Sequence, residues 1–132
     1  MTKLIANIFL ASLLFTCSKI RDTALYENQI QVSRTDGESL YFTMQSVGLN
    51  GNHNSLIISQ DKDVRMRFVE AKGVERMFYR SQGDTVFLKL EHRISFDNLD
   101  LHGWTIIQDT YNGAELQDLL NDYQYLGYGL LD

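Results

Sequence analysis

The chain has 132 residues, 12 Lys and Arg against 17 Asp and Glu, and a single cysteine. This length suits one domain with one hydrophobic core, and one cysteine cannot form a disulfide within the chain. The formal net charge of −5 argues against a nucleic-acid partner, because phosphate binding relies on clustered Lys and Arg.

The first seventeen residues contain the only long apolar run. Lys3 precedes a mostly apolar stretch of twelve residues, 4–15 (LIANIFLASLLF), which is the layout of a secretory signal. A membrane-spanning helix needs about 20 apolar residues. We therefore expect export followed by cleavage rather than permanent insertion.

The apolar run ends at the sequence Leu14-Phe15-Thr16-Cys17. This ending resembles the lipobox of bacterial lipoproteins, in which the cysteine thiol is lipidated and the preceding peptide is removed. Leu14 occupies the usual leucine position, whereas Phe15 and Thr16 stand where small residues are more typical. The resemblance covers only the first eighteen residues, and it implies membrane attachment through a lipid at Cys17.

The same resemblance implies a location in the bacterial cell envelope. Ser18 rather than Asp follows the cysteine and no acidic run comes next, which favours the outer membrane, facing the periplasm. Two other outcomes stay open, namely ordinary secretory cleavage after Ser18 and an uncleaved anchor. We expect a signal peptide over 1–17, a polar tether over 18–28 and a single β-rich domain over 29–132.

The domain is predicted to begin with two strands joined by a turn. Leu40, Phe42 and Met44 alternate with polar or hydroxyl-bearing residues, as in a strand with one buried face. A weaker strand is expected over 29–33. Because the turn sequence Asp36-Gly37 separates the two, the pair predicts a hairpin.

A loop rich in Gly and Asn follows over 48–54, with His53 at its tip. Functional groups often lie on such loops, so His53 is a candidate binding residue, although an ordinary β-turn explains the same composition. After this loop, the short apolar run 56–58 (LII) predicts a strand that is buried on both faces.

Three further elements are expected before the C-terminal region. Val64, Met66 and Phe68 alternate with two arginines, which predicts a strand with the arginines exposed. Two β-rich runs flank a glycine-bearing loop at Gly83, which predicts a hairpin. The run 104–107 (WTII) is predicted to form the last strand.

A helix is predicted near the C-terminus. Asn112 and Glu115 match a capping box, and the spacing of later apolar residues places them on one stripe: Leu116, Leu119, Leu120 and Tyr123. Gly127 supplies the left-handed residue that commonly ends a helix. The predicted fold class is mainly β, as an antiparallel sheet in a sandwich or partly open barrel with one short C-terminal helix. An α+β fold with the helix on one sheet face is the alternative.

No residue pattern specifies catalysis. The chain lacks the Gly-x-Ser-x-Gly elbow and phosphate-binding or dinucleotide motifs, so we assign no catalytic residue and expect no cofactor. His92 and His102 have Asp97 and Asp100 nearby in sequence, and such groups could bind zinc in a metal-dependent hydrolase. Their spacing matches no known site, and scattered surface residues are the simpler interpretation, so no metal site is assigned.

The C-terminal third is acidic and rich in tyrosine, since no Lys or Arg follows Arg93. Tyr125, Tyr128 and Trp104 are candidate binding residues that, together with Tyr123, could line a groove for a small molecule or glycan. The favoured function is a non-catalytic interaction or structural module of the envelope, with an envelope protein as partner. A glycan binder and a metal-dependent hydrolase are the alternatives.

Overall fold

The computed structural model describes residues 26–47, 53–95 and 100–132. In these ranges the elements are β1 (Tyr26–Ser33), β2 (Ser39–Val47), β3 (His53–Ser59), β4 (Arg67–Lys72), β5 (Met77–Gln82), β6 (Thr85–Leu90), β7 (Thr105–Thr110), α1 (Gly113–Asp122) and β8 (Gly129–Leu131). The predicted signal peptide with Cys17, most of the loop before β3, and Asp97 lie outside the described residues. Because β1 begins at Tyr26, residues 26–28 belong to a strand and not to the predicted tether.

The described strands form two separate sheets. The first sheet is an antiparallel meander in the order β1-β2-β3-β4, and the second has the order β7-β6-β5-β8. In the second sheet β5 pairs antiparallel with both β6 and β8, whereas β6 and β7 run parallel. The fold is therefore mainly β, with one short helix near the C-terminus, as predicted.

One hydrophobic core joins the two sheets in a β-sandwich. Its buried members from the first sheet are Val32, Leu40, Phe42, Met44, Leu56 and Ile58. Those from the second sheet are Met77, Val86, Leu88, Leu90 and Leu131. Alternate residues of each strand point into this core, which is the period-two pattern that the sequence shows in β2.

The two predicted hairpins are confirmed. In the first, Ser33 pairs with Ser39, and the Glu38 N–H donates to Asp36 Oδ1 within the turn. This hydrogen bond lowers the pKa of the Asp36 carboxyl. In the second, only Gly83 and Asp84 separate β5 from β6, and Gly83 has the positive φ of 60° that a two-residue hairpin turn requires.

The middle of β3 is buried on both faces, as predicted. Leu56 and Ile58 belong to the core between the sheets, while Ile57 between them points to the opposite face and is also fully buried. On that opposite face, Gln29 Nε2 donates to Thr43 Oγ1 and to the carbonyl of Lys62. The loop before β4 is thereby attached to the outside of the first sheet.

The prediction that Met66 is buried in a strand is wrong. The side chain of Asp61 accepts hydrogen bonds from the N–H groups of Arg65 and Met66, at 3.0 and 2.7 Å, and Val64 has a φ of 60°. These hydrogen bonds lower the pKa of the Asp61 carboxyl, and the hydrogen bond from the Met66 N–H has the largest effect. They hold the chain in a loop, so β4 starts only at Arg67 and Met66 is 60% exposed.

The prediction that the strand at residues 104–107 is the last one is also wrong. This strand, β7, is followed by α1 and then by β8, whose three residues pair with β5. Gly-Leu-Leu is too short to show an alternating pattern, so no strand could be predicted there from the sequence. The ring of Tyr79 occupies the space where a Cβ at Gly129 would lie, so a glycine is needed at this position.

The helix is capped as the sequence predicts. Asn112 Oδ1 accepts a hydrogen bond from the Glu115 N–H at 2.9 Å, and the side chains of the two residues are also hydrogen-bonded. Leu119 is buried, whereas Leu120 is 36% exposed. The prediction that Leu120 lies on the buried stripe is therefore wrong, because the helix makes contact through a narrower stripe of Leu116, Leu119 and Tyr123.

We predict that Leu88→Ala lowers the free energy of unfolding by about 2 to 5 kcal/mol, because it leaves a cavity in the core between the sheets. Leu88 is 1% exposed. Leu120→Ala removes the same atoms from a partly exposed site and should cost less than about 1 kcal/mol. Denaturant unfolding of the two variants checks this contrast, and equal losses would show that the helix is packed differently.

Candidate functional site

The helix is fixed to the outer face of the second sheet by a small aromatic cluster. Phe78 is fully buried, and its ring centroid lies 5.8 Å from those of Tyr111 and Tyr123. Leu119 completes the buried part of this cluster. Burial raises the pKa of the Tyr111 hydroxyl. The end of the helix at Tyr123 is thus held against the sheet.

The C-terminus is fixed at a second point. Leu131 in β8 is 3% exposed and belongs to the core between the sheets, where it pairs with Met77. The side-chain amide of Asn28 donates to the backbone carbonyl of Asp132 at 3.0 Å. The end of β8 therefore lies beside the start of β1, and the C-terminal strand closes one edge of the sandwich.

A tight turn connects the two fixed points. The N–H of Tyr128 donates to the Tyr123 carbonyl at 2.8 Å and that of Gly127 to the Gln124 carbonyl at 3.1 Å. With a φ of 82° at Gly127, this is the Schellman pattern that ends a helical segment, so Gly127 has its predicted role.

The turn exposes two apolar side chains, Tyr125 and Leu126, which together we name the tail knob. Tyr125 is 93% exposed and Leu126 is 49% exposed. Tyr123 and Tyr128 on either side of them pack against the cluster of Phe78, Tyr111 and Leu119. The knob is therefore a consequence of how the neighbouring residues are buried.

The surroundings of the tail knob carry charges of both signs. Three exposed acidic residues lie on the helix, namely Glu115, Asp118 and Asp122. On the side of the sheet, the Arg80 guanidinium lies between the rings of Phe87 and Tyr128, at 4.9 and 5.3 Å from their centroids. The helix that leads into the knob thus carries acidic side chains and, in its last turn, no basic one.

The structure does not place the candidate aromatic residues around one groove. Tyr128 packs against the cluster of Phe78, Tyr111 and Leu119. Its ring is covered by the Arg80 guanidinium and by Lys89 Nζ, which lies 5.8 Å from the ring centroid. Trp104 is 7% exposed and belongs to the core between the sheets. Tyr125 alone among the three is open to solvent. His53 is the first residue of β3, and its side chain lies outside the described part of the structure.

Trp104 and His102, the latter considered above as a zinc ligand, both contact Arg34. This contact lies at an end of the sandwich where three turns lie close together. Arg34 connects them, because its guanidinium stacks over the Trp104 ring at 4.9 Å and its Nη1 donates to the His102 carbonyl at 2.9 Å. Gly103 beside it has a φ of 86°, a conformation that favours glycine, and a Cβ there would lie 2.8 Å from Arg34 Nη1. This contact could not be predicted from the sequence, because Arg34 and His102 are 68 positions apart and Arg34 fits no motif.

This end of the sandwich forms an open polar cleft of about 560 Å³, whose lining includes Arg34, Asp36, Asp84 and His102. Gln60 Nε2 donates to His102 Nδ1 at 2.7 Å, and the Phe68 ring contacts the imidazole edge-on. Across the described ranges, no group of three or more His, Cys, Asp or Glu residues is placed to hold a metal ion. The hydrolase hypothesis therefore gains no support from the geometry.

Comparison of the chain with protein-family models, with curated proteins and with solved structures gives no match. The function must therefore be argued from the residues themselves. Of the part of the chain that the structure describes, no helix has the length and apolar character needed to cross a bilayer.

The Arg34 contact can be tested with the intrinsic fluorescence of Trp104, the only tryptophan. Arg34→Ala should expose the indole ring, shift its emission to longer wavelength, increase quenching by acrylamide and cost about 1 to 2 kcal/mol of unfolding free energy. Arg65→Ala, which removes an exposed arginine from a different loop, is the control. Emission unchanged from wild type in Arg34→Ala would contradict the stacking.

Proposed function

We propose that the protein is a small lipoprotein of the bacterial cell envelope that acts as a non-catalytic interaction or structural module. Its anchor would be the lipid at Cys17, and its contact surface would be the tail knob. The observation that carries this proposal is the 93% exposure of Tyr125 on a turn fixed at both ends.

The composition of the tail knob suits protein contact. Tyrosine is enriched among the residues that dominate binding energy at interfaces, because it buries a large apolar ring and carries a hydroxyl. A turn that is already ordered loses little conformational entropy on binding. The acidic helix beside the knob would steer a partner with a basic surface, mainly by raising the association rate.

The position of the tail knob fits attachment to a membrane. Eight residues separate Cys17 from Tyr26, where β1 begins, and eight residues span at most about 29 Å. The lipid would thus hold the domain close to the membrane surface. Because Asn28 in β1 bonds to Asp132 after β8, the tether would enter the domain beside the end of β8, the strand that follows the knob.

Lipid attachment predicts that Cys17→Ser moves the protein from the membrane fraction to the soluble envelope fraction. A diacylated protein should remain in the membrane pellet, because two acyl chains give stable anchoring whereas one binds only marginally. Fractionation and the intact mass of both forms check this. If the variant has the same distribution as wild type and no mass difference beyond the substitution itself, Cys17 does not carry lipid.

The contact surface predicts that Tyr125→Ala reduces the amount of envelope protein crosslinked to and captured with this chain by about tenfold or more. Loss of an interface anchor typically costs about 2 kcal/mol or more in binding free energy. Met66→Ala is the matched control, because Met66 is a large exposed apolar residue on another loop. Equal capture by the folded Tyr125→Ala protein and by wild type would place the contact surface elsewhere.

A further inference from the structure

The three methionines that the structure describes lie in contrasting environments. Met66, in the loop between β3 and β4, is 60% exposed, whereas Met44 is 2% exposed and Met77 is fully buried. Both of the buried residues belong to the core between the sheets. Of these three thioethers, that of Met66 alone can meet a dissolved reagent while the fold stays closed.

Hydrogen bonds to its backbone hold Met66 in this exposed position. Its N–H donates to Asp61 Oδ1 at 2.7 Å, and its carbonyl accepts from the Gln60 N–H at 3.1 Å. The Arg65 N–H donates to the second carboxylate oxygen of Asp61 at 3.0 Å. Since these bonds use main-chain groups of residues 65 and 66, the thioether can change chemically while the bonds that hold the loop remain in place.

The chemistry open to an exposed thioether is oxidation by a peroxide. The sulfur attacks one oxygen of hydrogen peroxide, and the S–O bond forms as the O–O bond breaks. The departing hydroxide takes the proton of the transferred oxygen and leaves as water, so sulfur loses two electrons and the peroxide gains them. The product, methionine sulfoxide, is polar and can be reduced back to the thioether by sulfoxide reductases.

We propose that Met66 is a reversible oxidation site of this protein, with a peroxide as the oxidant. The sulfoxide at this position stays in water, because the loop already exposes the side chain. The same change at Met44 or Met77 would place a polar S=O group in the core between the sheets, where an unpartnered polar group is unfavourable. The site is separate from the tail knob and does not depend on the contact function.

The test is treatment of the purified, folded protein with hydrogen peroxide, followed by proteolysis and mass spectrometry that locates each added oxygen. We expect Met66 to react about tenfold faster than Met44 and Met77, or more, because the buried pair reacts only when the fold opens. In concentrated urea all three should react at similar rates, which would show that exposure and not neighbouring sequence sets the difference. Similar rates in the folded protein, or a faster reaction at Met44 or Met77, would overturn the assignment.

Stability measurements test whether the fold tolerates the modification. Protein oxidised at Met66 should keep the denaturant midpoint and the Trp104 emission of the untreated protein, because the exposed sulfoxide replaces no packed group. Met66→Leu, treated in the same way, is the control, since it keeps Met44 and Met77 and cannot form a sulfoxide at position 66. A midpoint lowered by peroxide in wild type and unchanged in Met66→Leu would contradict a site that the fold tolerates.

Reversal completes the test. Methionine sulfoxide reductases, one for each epimer of the sulfoxide, should restore the thioether of Met66 in the folded protein. A sulfoxide that the two enzymes reduce only after the protein has been unfolded would contradict a reversible site on the surface.

Discussion

The structure depends on one constraint, which is that the start of β5 is buried on both of its faces. Met77 points into the core between the two sheets and Phe78 points the opposite way, and neither is exposed to solvent. One sheet can cover only one of these faces, so a second layer is required on the outside. The helix α1 supplies that layer, and the chain then returns along β5 as β8. The C-terminal region is therefore part of the fold and not a loose tail.

The same constraint connects packing with function. The helix must end where Tyr123 contacts Phe78, and β8 must begin where Leu131 can reach the inner core, so the turn between them has little freedom. Tyr128 is also packed, whereas Tyr125 is 93% exposed. A tyrosine that remains exposed under these conditions is available to a partner without any rearrangement of the domain, which is what a preformed contact surface requires.

Much of the fold could be predicted from local patterns. The alternation in β2, the turn at Gly83 and the capping box at Asn112 each involve residues close together in sequence, and all three predictions are confirmed. Contacts between residues that are far apart in sequence leave no such local pattern. The parallel pairing of β6 with β7, the strand β8 and the stacking of Arg34 on Trp104 depend on the assembled sheets.

The central claim is that the tail knob is the surface by which this domain meets an envelope partner. Site-specific photo-crosslinking tests it most directly, with a photoreactive amino acid placed at position 125 or, as a control, at the exposed position of Ile107 on β7. Irradiation of intact envelopes should give a discrete heavier species from position 125 and none from position 107. No heavier species from position 125, or equal crosslinking from both positions, would contradict the account.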